Sequence, residues 1–286
     1  MISVKLYGGL GNQMFQYAFA RSLAAKRNCL FSMDVSDYSR LGKPVKVDLL
    51  QMNVPAEVFQ NAGSFVRDLF ILRLVKKLGV RRVGSLFIEI MPGFDEKAIT
   101  NSCTYLFGYF QSFKYFHEFR DELVDEFRFS DVENSGYYAA IKESESVGIH
   151  VRRGDYITDS KVSKLMHELD FDYYITAVNR ILSIIEKPVR FFIFSNDLLW
   201  VEQNFLPRLA PFGECTVVDH NAEPKVLYDF ECLKNCKHQI IANSTFSWWA
   251  ADLNNYTGKR VVAPAKWFRK WKIQLNDFYP SDFIVL

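Results

Sequence analysis

Apolar residues are most regularly spaced in the second half of the chain. Short runs rich in Val, Ile and Phe at 147–151, 189–195, 215–218, 239–243 and 260–264 read as buried strands. Between them, 171–186, 198–205, 225–235 and 246–253 carry helical spacing. Strands alternating with helices specify an α/β domain built on a parallel sheet covered on both faces. The first half is clear only at its start. A strand at 2–7 leads into a tight turn at Gly8, Gly9 and Gly11, a helix at 12–27 through Phe15, Ala18, Leu23 and Ala24, and a second strand at 30–34. Residues 42–64 are poorly periodic, and no element is assigned to them. The polar break KESES, ending at Ser146, sets the expected boundary between domains 1–146 and 147–286.

Residues 65–82, FVRDLFILRLVKKLGVRR, form a basic amphipathic stretch. Two readings stand side by side. One is a helix that touches a membrane surface or recruits an acceptor there; the other is a peripheral helix with a solvated Lys/Arg face, favoured by the lack of Trp anchors.

Composition alters this outline in few places. Aromatic residues reach 16%, with 26 Phe and 14 Tyr, a surplus that suits stacking on sugars or a nucleobase as well as core packing. The net charge of +2 gives no global field for polyanions, so an anion site must be local and no nucleic-acid partner is expected. Cys29, Cys103, Cys215, Cys232 and Cys236 are odd in number and lack framework spacing, which favours a reduced, cytoplasmic compartment. The N-terminus has no basic region followed by an apolar run, and no apolar stretch reaches membrane-spanning length.

The chemistry concentrates in VGIHVRRGDY, residues 147–156, where Arg152, Arg153 and Asp155 lie just past the end of a buried strand. In open α/β sheets that end is where ligands bind. Paired guanidiniums suit a diphosphate, because the arginine fork binds two phosphate oxygens at once. An ion pair between Arg153 and Asp155 at a surface turn is the structural alternative. Neighbouring side chains on a strand point to opposite faces, so one arginine is expected to hold phosphate and the other to be partly structural.

HVRRGDY resembles the first signature of the fucosyltransferases that make α-1,2, α-1,6 and protein O-linked fucose. GGLGNQMFQYAFARSLA is similar to the opening motif of the α-1,2-fucosyltransferases in particular. NSTFSWWAADL, residues 243–253, resembles their C-terminal motif, and FSND, 194–197, falls where the intermediate motif belongs. Four matches in the family order are more specific than any one of them.

The resemblance implies two Rossmann-like domains facing across a cleft, the GT-B type of glycosyltransferase, with the donor nucleotide in the C-terminal domain and the acceptor side in the N-terminal one. It implies GDP-fucose as donor, a galactose-containing acceptor, no cofactor and no metal. Carried over, Arg152 holds the diphosphate and stabilises the charge left on the β-phosphate as the sugar departs. His150 hydrogen-bonds the nucleotide, and Asp197 accepts from guanine N1–H and the exocyclic amine. A satisfied core histidine and a helix N-cap are the plain alternatives for those two. Ser244, Thr245, Phe246 and Ser247 open a helix whose backbone N–H groups and hydroxyls suit phosphate, with ordinary capping as the alternative. Gly9, Gly11, Asn12 and Gln13 are expected to close around fucose. Asp155 is the first candidate for a general base and Asp34 the second.

Other patterns weigh less. Asp170-Phe171-Asp172 has the form of a metal-binding DxD, but N-terminal helix charge explains it. Cys232 and Cys236, with His220 and His238 nearby, match the spacing of a zinc site only loosely. Two rival functions remain: a nucleotide-dependent oxidoreductase using the glycine loop, in which Met14 holds the third glycine position, and a glycan-binding protein without turnover.

Overall fold

The computed structural model describes residues 1–36, 38, 47–61, 69–130, 132, 136–154, 156, 159–220 and 225–286. The chain divides into two compact units, Met1–Arg128 with Ile273–Tyr279 and Phe129–Lys272 with Pro280–Leu286. The contacts therefore divide at Arg128/Phe129, and residues 129–146 group with the second unit instead of ending the first. Burial accounts for this: Ile141, in the helix before the KESES break, is fully buried, and Ser146 is already the first residue of a strand.

In the first unit the sheet order is β3-β2-β1-β6-β5-β4. Its strands are β1 (Ile2–Lys5), β2 (Phe31–Asp34), β3 (Phe59–Gln60), β4 (Arg82–Val83), β5 (Leu86–Ile88) and β6 (Tyr105–Phe107). All neighbours are parallel except the β4–β5 hairpin. Helix α1 (Leu10–Lys26) begins at Leu10, so Gly11 belongs to its first turn instead of preceding it. It is buried nearly all round, which is why it is apolar on every side. Helix α2 (Leu69–Lys77) ends at Gly79, whose φ of +72° suits glycine. Val80 N–H returns to Val75 C=O and Gly79 N–H to Lys76 C=O, the Schellman arrangement.

The second unit carries β7 (Ser146–Val151), β8 (Arg190–Ser195), β9 (Glu214–Val217), β10 (His238–Ile240), β11 (Val261–Ala263) and β12 (Phe283–Val285). Every pairing is parallel, in the order β12-β11-β10-β7-β8-β9. Helices α3 (Phe171–Leu182), α4 (Lys225–Asn235) and α5 (Thr245–Asp252) cover it. Val147, Ile149, Ile193 and Val262 pack against Val178 and Ile181 of α3. On the other face α4 comes so close that a Cβ on Gly148 would stand 2.7 Å from Leu233 Cδ1. The run expected as one helix over 198–205 is a single α turn at Leu198–Trp200 followed by a wider π turn at Val201–Phe205.

Strand register in the first unit sets Lys5 opposite Asp34 and Ser3 opposite Tyr105. Lys5 and Asp34 are fully buried, with Nζ 3.4 Å from Oδ2, and Lys5 also donates to Ser36 Oγ at 2.7 Å. Tyr105 OH donates to Asp34 Oδ2 and Ser36 N–H to Oδ1. Burial alone would raise the Asp34 pKa, but these donors and the lysine hold it below its ordinary value. Asp34 is thus a structural anion with no exposure, and its candidacy as a general base is withdrawn. Asp34→Ala leaves a buried ammonium without its counter-charge and is expected to cost about 3–5 kcal/mol in urea unfolding. An unchanged midpoint would show that the pair holds nothing together.

Candidate active site

The second sheet changes direction at its centre. From β7 the chain adds β8 and β9 on one side, then crosses back to add β10, β11 and β12 on the other. The loops leaving the C-terminal ends of β7 and β10 diverge there, which opens a crevice in such sheets. The first of these loops is the arginine turn, and the second is Asn243–Ser244 leading into α5.

A cavity of about 380 Å³ lies at this position, lined by His150, Arg152, Phe194, Ser195, Asn196, Lys225, Val226, Asp229 and Phe246. His150 is 4% exposed, and its Nδ1 has no hydrogen-bond partner among the described residues. Burial, reinforced by the Arg152 charge, drives its pKa down to about 3, so the ring is neutral at physiological pH. A buried ring nitrogen left open beside a cavity is a group waiting for a ligand. The centres of the Phe246 and His150 rings are 5.3 Å apart.

The two arginines share a narrow second pocket beside Tyr156, Glu168 and Trp200, but only Arg152 lines the larger cavity. Arg152 lines the cavity, with its guanidinium 5.9 Å from the Tyr156 ring centre. Arg153 lies 4.2 Å over Trp200 and between two carboxylates, Glu168 at 3.5 Å and Asp197 at 3.6 Å. Arg153 is thus engaged by two carboxylates and an aromatic ring, as the partly structural arginine was expected to be. The turn itself is held by Asn196, whose Oδ1 accepts from Arg153 N–H at 3.0 Å and Gly154 N–H at 3.2 Å. A Cβ on Gly154 would come within 2.7 Å of Asn196 Nδ2, so glycine permits this approach. Tyr156 OH donates to Asn243 C=O at 2.7 Å, joining the two loops. Asp155 lies outside the described residues.

Several other expected site residues are committed elsewhere. Asp197 accepts from Trp200 N–H through Oδ1 as an N-cap and faces Arg153 through Oδ2, and it does not line the cavity. Ser247 is fully buried, with its hydroxyl donating inward to Ala242 and Ser244 carbonyls. Ser244 is the N-cap residue without a side-chain cap bond, and Thr245 and Phe246 are half-buried at the start of α5. Trp248 and Trp249 are fully buried and pack the helix. Asn243 Nδ2 donates to His167 and Trp267 carbonyls, bracing the loop.

In the first unit Gly8 has φ +89°, and Gly8 and Gly9 are exposed. Gly11 is buried in α1. Gln13 is fully buried and donates to Gly8 C=O and Tyr38 OH, so it braces the turn from behind. Asn12 is half-buried and accepts from Gln111 Nε2 at 2.9 Å. Asp170 caps α3 through Tyr173 N–H. Cys232 and Cys236 are buried in helix packing, and no three metal-ligating side chains converge among the described residues.

Residues 89–279, two thirds of the chain, match the sequence pattern of glycosyl transferase family 11. The chain belongs to glycosyl transferase family 11. Among the relatives of this family 11 enzyme are two from Escherichia coli. An α-1,2-colitosyltransferase is 28% identical, covering 99% of this chain and 98% of the relative. The O-antigen biosynthesis glycosyltransferase WbnK is 30% identical, covering 92% and 93%. A mouse (Mus musculus) galactoside α-(1,2)-fucosyltransferase 2 is 32% identical over 88% of this chain and 68% of its own. The fold is that of fucosyltransferase NodZ from Bradyrhizobium, with TM-score 0.53 at 14% identity over 87% of this chain and 91% of that one. Two mostly parallel α/β sheets place the glycosyltransferase in the GT-B class. Membership of this family sets aside both rival functions.

Asp229 and Asn196 line the cavity of the glycosyltransferase without having been expected there from the sequence. Asp229 lines the cavity from α4, with Oδ1 held by His220 Nδ1 at 2.6 Å. In the sequence it is one acid within a helical run, with only its i, i+4 spacing from Lys225 to hint at a shared face. Asn196 stands inside FSND, overshadowed by its acidic neighbour. His150 yields a pH test. In the unfolded chain it protonates near its ordinary pKa of about 6.5, whereas the folded ring resists protonation down to about 3. Stability relative to His150→Phe is therefore retained above pH 6.5 and falls below it by about 1.4 kcal/mol per pH unit. Parallel stability curves for the two proteins from pH 7 to 4 would contradict the neutral, buried assignment.

Proposed function

We infer that the protein transfers L-fucose from GDP-β-L-fucose to the 2-hydroxyl of a terminal β-galactose, by an inverting single displacement that needs no metal ion. The carrying observation is that Arg152, the open Nδ1 of neutral His150 and the Asp229 carboxylate meet around one cavity at the switch point of the second sheet. Guanine offers two adjacent donors, N1–H and the exocyclic amine, that match a carboxylate. Asp229, oriented by His220, suits that task better than Asp197, which is spent on its cap and on Arg153. Phe246 offers a ring face, and His150 a hydrogen bond to the nucleotide.

The diphosphate belongs beside Arg152, at the backbone N–H groups of Thr245 and Phe246. As the glycosidic bond lengthens, negative charge collects on the β-phosphate and the sugar gains oxocarbenium character. A fixed guanidinium is worth more at that stage than in the ground state, which lowers the barrier without Lewis-acid help. The acceptor hydroxyl attacks from the opposite face and gives an α-fucoside. Asp155 remains the general-base candidate. The second unit takes the donor and the first the acceptor, with the exposed Gly8–Gly9 turn and Asn12 as the parts of the opening loop able to meet sugar. The α-1,2 linkage and galactose acceptor rest on the names of the relatives.

The test is GDP release from GDP-fucose with a β-galactoside acceptor and EDTA present. Wild-type turnover survives chelation, and Arg152→Ala lowers it by about a hundredfold or more. Asp229→Ala weakens GDP binding by about tenfold or more and removes its advantage over IDP, which lacks the exocyclic amine. GDP-colitose runs alongside as competing donor because one relative is named for colitose transfer. GDP binding without turnover would overturn the acceptor assignment, and no GDP binding would overturn the function.

A further inference from the structure

The 14 residues from 69 to 82 contain five Lys/Arg and no acid, whereas the whole chain carries only +2, so everything else sums to −3. This segment is also where apolar side chains stand in solvent. Leu72 of α2 is fully buried, and Leu69 and Val75 pack with it against Tyr7, Ile88, Tyr105 and Phe107. The opposite face is not polar. Phe70 is 75% exposed, Leu74 49% and Leu78 71%, and beyond Gly79 come exposed Val80 and Val83. At about 3.6 residues per turn, positions 70, 74 and 78 form one stripe, and the exposed Arg73 and Lys77 flank it. Arg82 adds an exposed cation on β4, the edge strand.

Singly exposed leucines are ordinary, but a contiguous stripe beside cations marks a surface that meets something. We propose that the outer face of α2, continued through Val80 to Val83, lies in the interfacial plane of an anionic phospholipid bilayer. Leu74 and Leu78 enter the headgroup–acyl boundary, and Lys77, Arg73 and Arg82 face lipid phosphates. The Schellman turn at Gly79 carries the chain from the helix directly to β4, keeping Val80 and Val83 next to the stripe in sequence. A second copy of the chain fits less well, because self-pairing would bring two sets of like charge together. No helix among the described residues is long and apolar enough to cross a membrane, so the contact is a surface one. This inference does not depend on the donor or acceptor assigned above.

The experiment is co-sedimentation of the full chain with phosphatidylcholine vesicles and with vesicles in which about a quarter of the lipid is phosphatidylglycerol. Binding is expected only to the anionic vesicles and falls as salt rises. Lys77→Glu with Arg82→Glu lowers partitioning by about tenfold or more. Leu74→Ser with Leu78→Ser lowers it comparably, and both variants keep wild-type circular dichroism and turnover of a soluble acceptor. No binding to anionic vesicles, or binding that neither pair of substitutions weakens, overturns the proposal. So does a dimer in light scattering that Leu74→Ser with Leu78→Ser dissolves while vesicles remain unbound.

Discussion

Between β7 and β10 the chain reverses the side on which it adds strands, and the site depends on that reversal. Parallel strands deliver their loops to one edge of the sheet, and only where the order switches do neighbouring loops part. The strand β7 ends in His150 and Val151 and releases Arg152 at the parting, while β10 leads to the Asn243–Ser244 loop and the start of α5. Gly148 lets α4 settle on β7, and α4 in turn presents Asp229 to the cavity. A side chain at 148 would act on the site by lifting that helix, not by touching ligand.

Polar groups around the site fall into two sets, those that brace the loops and those that line the cavity. Asn196, Tyr156 and Asn243 spend their hydrogen bonds on backbone, fixing the arginine turn against the neighbouring loop. Arg153 is clamped by Glu168, Asp197 and Trp200. Lining the cavity are the Arg152 guanidinium, one buried imidazole nitrogen without a partner among the described residues, and a carboxylate oriented by His220. A rigid arrangement of this kind suits stabilisation of developing charge, because nothing needs to reorganise when the leaving group departs.

The second unit was legible in the sequence because buried parallel strands are short continuous apolar runs with helices between them. The strand before HVRRGDY and the helix carrying NSTFSWW appear within a residue or two of their expected ends. The first unit was legible only through β1, α1 and β2, since β3, β4, β5 and β6 are two or three residues long and too short to show a period. Helix α1 hid its own start because it is buried all round, so Gly11 read as loop. For the site, motif order located the arginine turn, but adjacent residues could not be ranked. Asp197 and Asn196 stand side by side in FSND, and whether each faces cap or cavity depends on the turn after β8. Asp229 belongs to no short motif, and only the packing of α4 reveals it.

The most direct measurement is a crystal structure of the protein with GDP. Guanine is expected in the β7–β8–α4 cavity, with its N1–H and exocyclic amine on Asp229, a nucleotide acceptor or donor on His150 Nδ1, and the diphosphate on Arg152 and the first N–H groups of α5. Diphosphate seated on the Gly8–Gly9 turn, or guanine bound by Asp197 outside that cavity, would contradict this placement.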